Sequence, residues 1–107
     1  MQVRVDENRF DELQNFLADE IVAATFGGLE PLGLPRTQLQ EVITSIAFNV
    51  CCAVDGSTIM HLNGERVFPV LTFAATSEFN ELLSTGSTSF MHEYIHGIVE
   101  QFLAKKL

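Results

Sequence analysis

The sequence has no tryptophan, one tyrosine, three prolines, two cysteines and only six basic residues. Each scarcity removes a class of protein. Six Lys and Arg against fourteen Asp and Glu give a formal charge of −8, which repels a phosphate backbone and an anionic lipid surface alike, so neither nucleic acid nor membrane is an expected partner. The cysteines are adjacent, Cys51 and Cys52. A bridge between neighbours closes a strained ring, and zinc-ribbon or redox spacing needs sulfurs two or more residues apart, so the pair reads as reduced, buried and structural. No apolar run reaches the length of a membrane span, and the opening MQVRVDENRF lacks the apolar stretch of a signal peptide. The expected compartment is the cytoplasm. P-loop, dinucleotide and G-x-S-x-G signatures are also missing.

What is present is apolar residues. Of 107 residues, 47% are hydrophobic and nine are Phe, enough to offset chain entropy in one domain spanning residues 1–107. Asp6, Glu7, Asp11, Glu12, Asp19, Glu20 and Glu30 oppose Arg4 and Arg9 in the first thirty residues. Such a concentration serves solubility, or it forms a docking surface for a basic protein, in which Asp11, Glu12, Asp19 and Glu20 are the candidate contacts.

Periodicity predicts an α+β fold, mostly helical, with three main helices, one short helix and a small antiparallel β-hairpin sheet packed on them. Asp6 or Asn8 caps a first helix with Phe10, Leu13, Phe16, Leu17 and Ile21 on its apolar face, and Gly27-Gly28 stops it. Thr37-x-x-Gln40 fits a capping box for a second helix, apolar all round and so central to the core. Its end, AFNVCCAV, reads as helix, although a short apolar run of this kind is also compatible with a buried strand, leaving residues 48–54 open. Asn63-Gly64 between TIMHL and ERVFPVLTF marks a type I′ hairpin. Ser77 to Leu83 reads as the short helix, and Ser89 as the cap of the last helix. Gly97, costly inside a helix, suggests close packing against the hairpin or a second subunit.

The last helix carries the one chemical motif, His92-Glu93-x-x-His96. Residues four apart on a helix lie one above the other, so both imidazoles can face a single Zn²⁺. Over these five residues the chain resembles the zincin peptidases, and the resemblance implies His92 and His96 as ligands and Glu93 as the general base acting on zinc-bound water. The third zincin ligand has no counterpart: Phe102 stands six residues after His96, and eleven residues are too few for a further ligand-bearing helix. Glu100 extends the row, but three ligands along one straight helix spread over about 12 Å. The third ligand then comes from upstream, with His61 the first choice and Asp55, Glu65, Glu78 and Glu81 behind it.

The reading therefore leans away from an enzyme and toward a small acidic binding module, inhibitor-like, with a protein partner of basic character and no cofactor. Two alternatives stay open. One is a minimal zinc-dependent hydrolase, and the other is a homodimer formed through the C-terminal helix, with Met91, Ile95 and Phe102 among its contacts.

Overall fold

The computed structural model describes residues 1–106. Asp6 is extended and its Oδ1 accepts the Arg9 N–H at 3.0 Å, which starts α1 (Glu7–Leu29) as its capping chemistry requires. The buried row of α1 is Phe10, Gln14, Ala18, Val22 and Phe26. Phe16, expected in the core, lies off this row and is 62% exposed. Gly27 and Gly28 do not stop the helix. Both remain helical, and termination falls to a 3-10 turn at Glu30–Leu32 followed by Gly33, whose φ of 65° reverses the chain.

α2 (Arg36–Val54) begins behind Pro35, whose carbonyl accepts the Leu39 N–H at 2.8 Å. Pro35 therefore occupies the capping position, and the expected Thr37–Gln40 box does not form. Residues 48–54 are helical throughout. Only one row of α2, Leu39, Ile43, Ala47 and Cys51, is buried, whereas Ile46 and Val50 are exposed. The helix therefore flanks the core instead of threading it.

α3 (Ile95–Lys106) completes the helical layer with Ile95, Val99 and Leu103 inward, and Lys105 and Lys106 complement the negative end of its dipole. All three helices share one apolar cluster, in which Phe26 and Phe102 meet edge to face at 5.2 Å. Among the described residues, nothing beyond Gly97's own chain neighbours and helix backbone comes within 4 Å of the place where a Cβ on it would stand, so the expected hairpin contact at that residue is absent. No described helix is long and apolar enough to cross a membrane.

The architecture is α+β and mostly helical, with strands that sequence reading missed. β1 (Gln2–Val5) pairs in parallel with β5 (Glu81–Ser84), and β4 (Phe73–Ala74) pairs antiparallel with the other side of β5. Ser77 to Leu83 is thus not a short helix: Phe79 turns at φ 58°, and the chain then enters β5. The strand wins because β1 and β4 satisfy its backbone on both sides, a tertiary gain that outweighs local preference. Phe73 meets Phe10 of α1 edge to face at 5.2 Å, which seats this sheet on the helices.

The Asn63-Gly64 turn forms as expected, with φ of 52° and 82° between β2 (Met60–Leu62) and β3 (Glu65–Val67). Every residue from His61 to Phe68 is exposed. The hairpin contributes to an elongated outline of 47 × 35 × 22 Å and a radius of gyration of 15.7 Å, against about 13 Å for a compact chain of this length.

Candidate functional site

The chemistry of the molecule gathers where α2 ends and the final helical segment begins. Asp55 follows the last turn of α2, and its side chain is fully buried. A carboxylate in that setting needs a donor for each oxygen. Oδ1 accepts a short bond from the Ser89 hydroxyl, while Oδ2 accepts the His92 backbone N–H at 2.8 Å and faces His92 Nδ1 at 2.7 Å. Ser89 is therefore not the N-cap anticipated from its position. It is buried, and the capping role falls to Asp55, reaching across from another helix.

A second tether holds the same segment to α1. Gln14, buried in the helix's core row, accepts the Phe90 N–H on Oε1 at 2.9 Å and donates from Nε2 to Asp11 Oδ1 at 2.9 Å. Tyr94 donates its hydroxyl to the same Asp11 oxygen at 2.8 Å. This bond to Asp11, and then burial, raise the Tyr94 pKa above its ordinary value. Among the described residues no buried side-chain polar atom lacks a hydrogen-bond partner.

The H-E-x-x-H residues occupy a junction, not one continuous helix. His92 and Glu93 belong to a 3-10 turn (Met91–Glu93), Tyr94 links it onward, and His96 lies in the first turn of α3. The two imidazoles share a neighbour, Phe48 of α2, which meets their rings edge to face at 5.9 and 5.8 Å. The His92 side chain is 23% exposed, and pairing of Nδ1 with Asp55 leaves Nε2 as the ring nitrogen open to another partner. Carboxylate-backed imidazoles of this kind occur both in metal sites and in general-base pairs.

His96 is exposed and lines an open groove of about 650 Å³ with Glu41, Ser45, Phe48 and Asn49. Glu93 points to solvent. His61, the expected third ligand, stands opposite Arg66 in the exposed hairpin, and Asp55 has both oxygens engaged by Ser89 and His92. Among the described residues no group of three or more His, Cys, Asp or Glu side chains is placed to hold one metal ion.

Cys51 and Cys52 are unbridged, with Cys51 buried and Cys52 partly so. Burial, and then the Asp55 charge, push the Cys51 thiol up to about 12, so it is protonated and inert at neutral pH. Two of the expected homodimer contacts, Met91 and Ile95, are fully buried within the chain itself. They are core residues and not surface contacts.

The acidic residues of α1 divide into two groups. Asp11 is committed to Gln14 and Tyr94, and Glu12 reaches Arg9 at 3.5 Å. Asp19 and Glu20 are exposed and form no ion pair among the described residues. Steps of three and four residues place Glu12, Asp19 and Glu20 around the exposed ring of Phe16. Sequence reading assigned Phe16 to the core and overlooked Gln14. The strict four-residue spacing from Phe10 to Phe26 is the signal that could have separated them.

Comparisons with protein-family models, with curated proteins and with solved structures return no match to this chain.

Proposed function

We propose that the protein is a non-enzymatic binding module, inhibitor-like in character, which docks a basic protein on the outer face of α1. The observation that carries this reading is Phe16, a large aromatic ring held in water at 62% exposure with three carboxylates around it. Burying that ring in a partner's pocket removes apolar surface from water, while Glu12, Asp19 and Glu20 draw basic groups to the rim. The net charge of −8 speeds encounter with a cationic surface. The test is to measure affinity for the protein captured by the wild-type chain, using Phe16→Ala and an Asp19→Lys, Glu20→Lys pair. Both variants lose at least tenfold, the charge variant chiefly in association rate and at low salt. Unchanged affinity in both would discard the face.

One observation favours a second reading, a zinc-dependent hydrolase: the Asp55–His92 pair orients an imidazole as metal enzymes orient their ligands. In this reading His92 and His96 bind the ion, Glu93 is the base, and His61 must swing in from the hairpin or be replaced by a substrate group. Elemental analysis of untagged protein, with His96→Ala as control, decides it. About one zinc per chain that is lost in the variant supports the hydrolase, and its absence with no response to added zinc removes it.

A further inference from the structure

A second concavity, of about 420 Å³, opens beside the tether that joins the final helical segment to α1. Three parts of the chain line it: Glu7 and Asp11 from the first turns of α1, Thr85 and Ser87 from the loop after β5, and Phe90 and Tyr94 from the final segment. Glu7 and Asp11 are four residues apart, so their carboxylates lie one above the other on the helix, a pairing of like charges that is unfavourable unless a cation joins it. The chain supplies none. Among the described residues no Lys, Arg or His lines the recess, Arg4 is held by Asp6 and Glu81, and Arg9 by Glu12. Both carboxylates keep open acceptors. Glu7 forms no ion pair among the described residues, and the two donors that reach the Asp11 carboxylate, from Gln14 and Tyr94, both take Oδ1 and leave Oδ2. Phe90 is fixed by its backbone bond to Gln14 at 2.9 Å, yet its side chain remains 39% exposed.

We infer that this recess binds an arginine side chain presented by a peptide or protein. Two carboxylates alone are an ordinary solvated helix face. Two aromatic rings beside them, in a concavity, make a combination that selects a flat and weakly hydrated cation: a guanidinium stacks on an aromatic ring while its N–H fork meets carboxylate oxygens, whereas an ammonium holds its water more tightly. The guanidinium lies against Phe90 and Tyr94, and Glu7 and Asp11 Oδ2 accept from it. Free arginine is the poorer occupant, because no basic side chain lines the recess to meet its α-carboxylate. Asp11 and Phe16 are five residues apart, about 140° around the helix, so the recess and the Phe16 face look in different directions and are separate sites.

The recess is tested by titrating the ¹⁵N-labelled full chain with N-acetylarginine amide at low salt and following amide shifts by NMR. The expected Kd is about 1 mM for a ligand of this size, with shifts centred on Ser87, Phe90 and Tyr94 and with affinity falling as salt is raised. The corresponding citrulline amide, equal in shape but uncharged, does not saturate the site, and the lysine amide and free arginine bind more weakly. Glu7→Gln with Asp11→Asn weakens binding at least tenfold while the circular dichroism is unchanged, since asparagine keeps Oδ1 for Gln14 and Tyr94. Phe90→Ala also weakens it and leaves the backbone tether in place. Failure to saturate, equal binding of the citrulline amide, tighter binding of the lysine amide or an unaffected double variant overturns the inference. Tighter binding of free arginine overturns the assigned occupant, and shifts centred on Phe16 overturn the assigned site. No partner protein is present, so these outcomes are independent of whether the Phe16 face docks one.

Discussion

Replacing Asp55 by alanine should be the most damaging single change at the junction of α2 and the final helical segment. The substitution removes both acceptors at once. Ser89 is 2% exposed and its hydroxyl has no other acceptor among the described residues, and the His92 backbone N–H loses its partner as well. A buried donor left unpaired costs about 1–3 kcal/mol, so the two together cost about 2–6 kcal/mol. Removing the desolvated carboxylate returns part of that, because placing a charge in a dry site is itself unfavourable. A net loss of about 3 kcal/mol follows, a large share of the 5–15 kcal/mol that stabilises a domain of this kind. For a chain of this length it lowers Tm by about 15 °C. Urea and thermal unfolding followed by circular dichroism at 222 nm provide the assay, with Asp55→Asn falling between wild type and alanine because it keeps one carbonyl oxygen for Ser89. A double-mutant cycle with Ser89→Ala should show coupling of at least 1 kcal/mol. An Asp55→Ala protein within 1 kcal/mol of wild type, or strictly additive costs in the cycle, would refute the view that this carboxylate clamps the segment.

Cys51 supplies a pH dependence of known sign. The folded state holds its proton up to about 12 while the unfolded chain releases it near the ordinary thiol value of 9.0, so stability is intact below pH 9 and falls as pH rises toward 12. Urea midpoints between pH 8 and 10.5 should decline more steeply in wild type than in Cys51→Ala. Cys52, less buried than its neighbour, should react first with a maleimide, Cys51 reacting only on unfolding. Tyr94→Phe removes the bond to Asp11 and should cost no more than about 1 kcal/mol, since Asp11 keeps Gln14 as a donor. Phe16→Ala should leave the urea midpoint within the scatter of ordinary surface changes, about 0.5 kcal/mol, which separates its binding role from any role in folding.

The helices were legible because their signals are long and local. Three apolar periodic runs, an Asp at the first cap and a lysine pair at the last turn were enough to place them. The missed strands are short, and their reason for existing is remote: β1 is four exposed residues whose partner lies almost eighty positions away. No local pattern in QVRV or ELLS announces that pairing. The site was half legible for the same reason. His92 and His96 stood out by spacing, and both do flank one aromatic ring. What positions them, the buried Asp55 with Ser89 and the amide of Gln14, joins residues 34 to 76 positions apart. In the sequence Asp55 looks like an ordinary turn residue before Gly56, and only folding shows that its side chain turns inward.

The base of the hairpin shows how the molecule can change. A Cβ on Gly56 would stand 3.3 Å from the Pro69 carbonyl oxygen, so the chain leaves the body and returns to it through one narrow doorway. Beyond that doorway the residues from His61 to Phe68 are all exposed and bear hardly on how the three helices pack. The hairpin is therefore modular. It can be shortened, recharged or exchanged for a foreign loop while the Asp55 clamp and helical core stay as they are, provided glycine remains at the hinge.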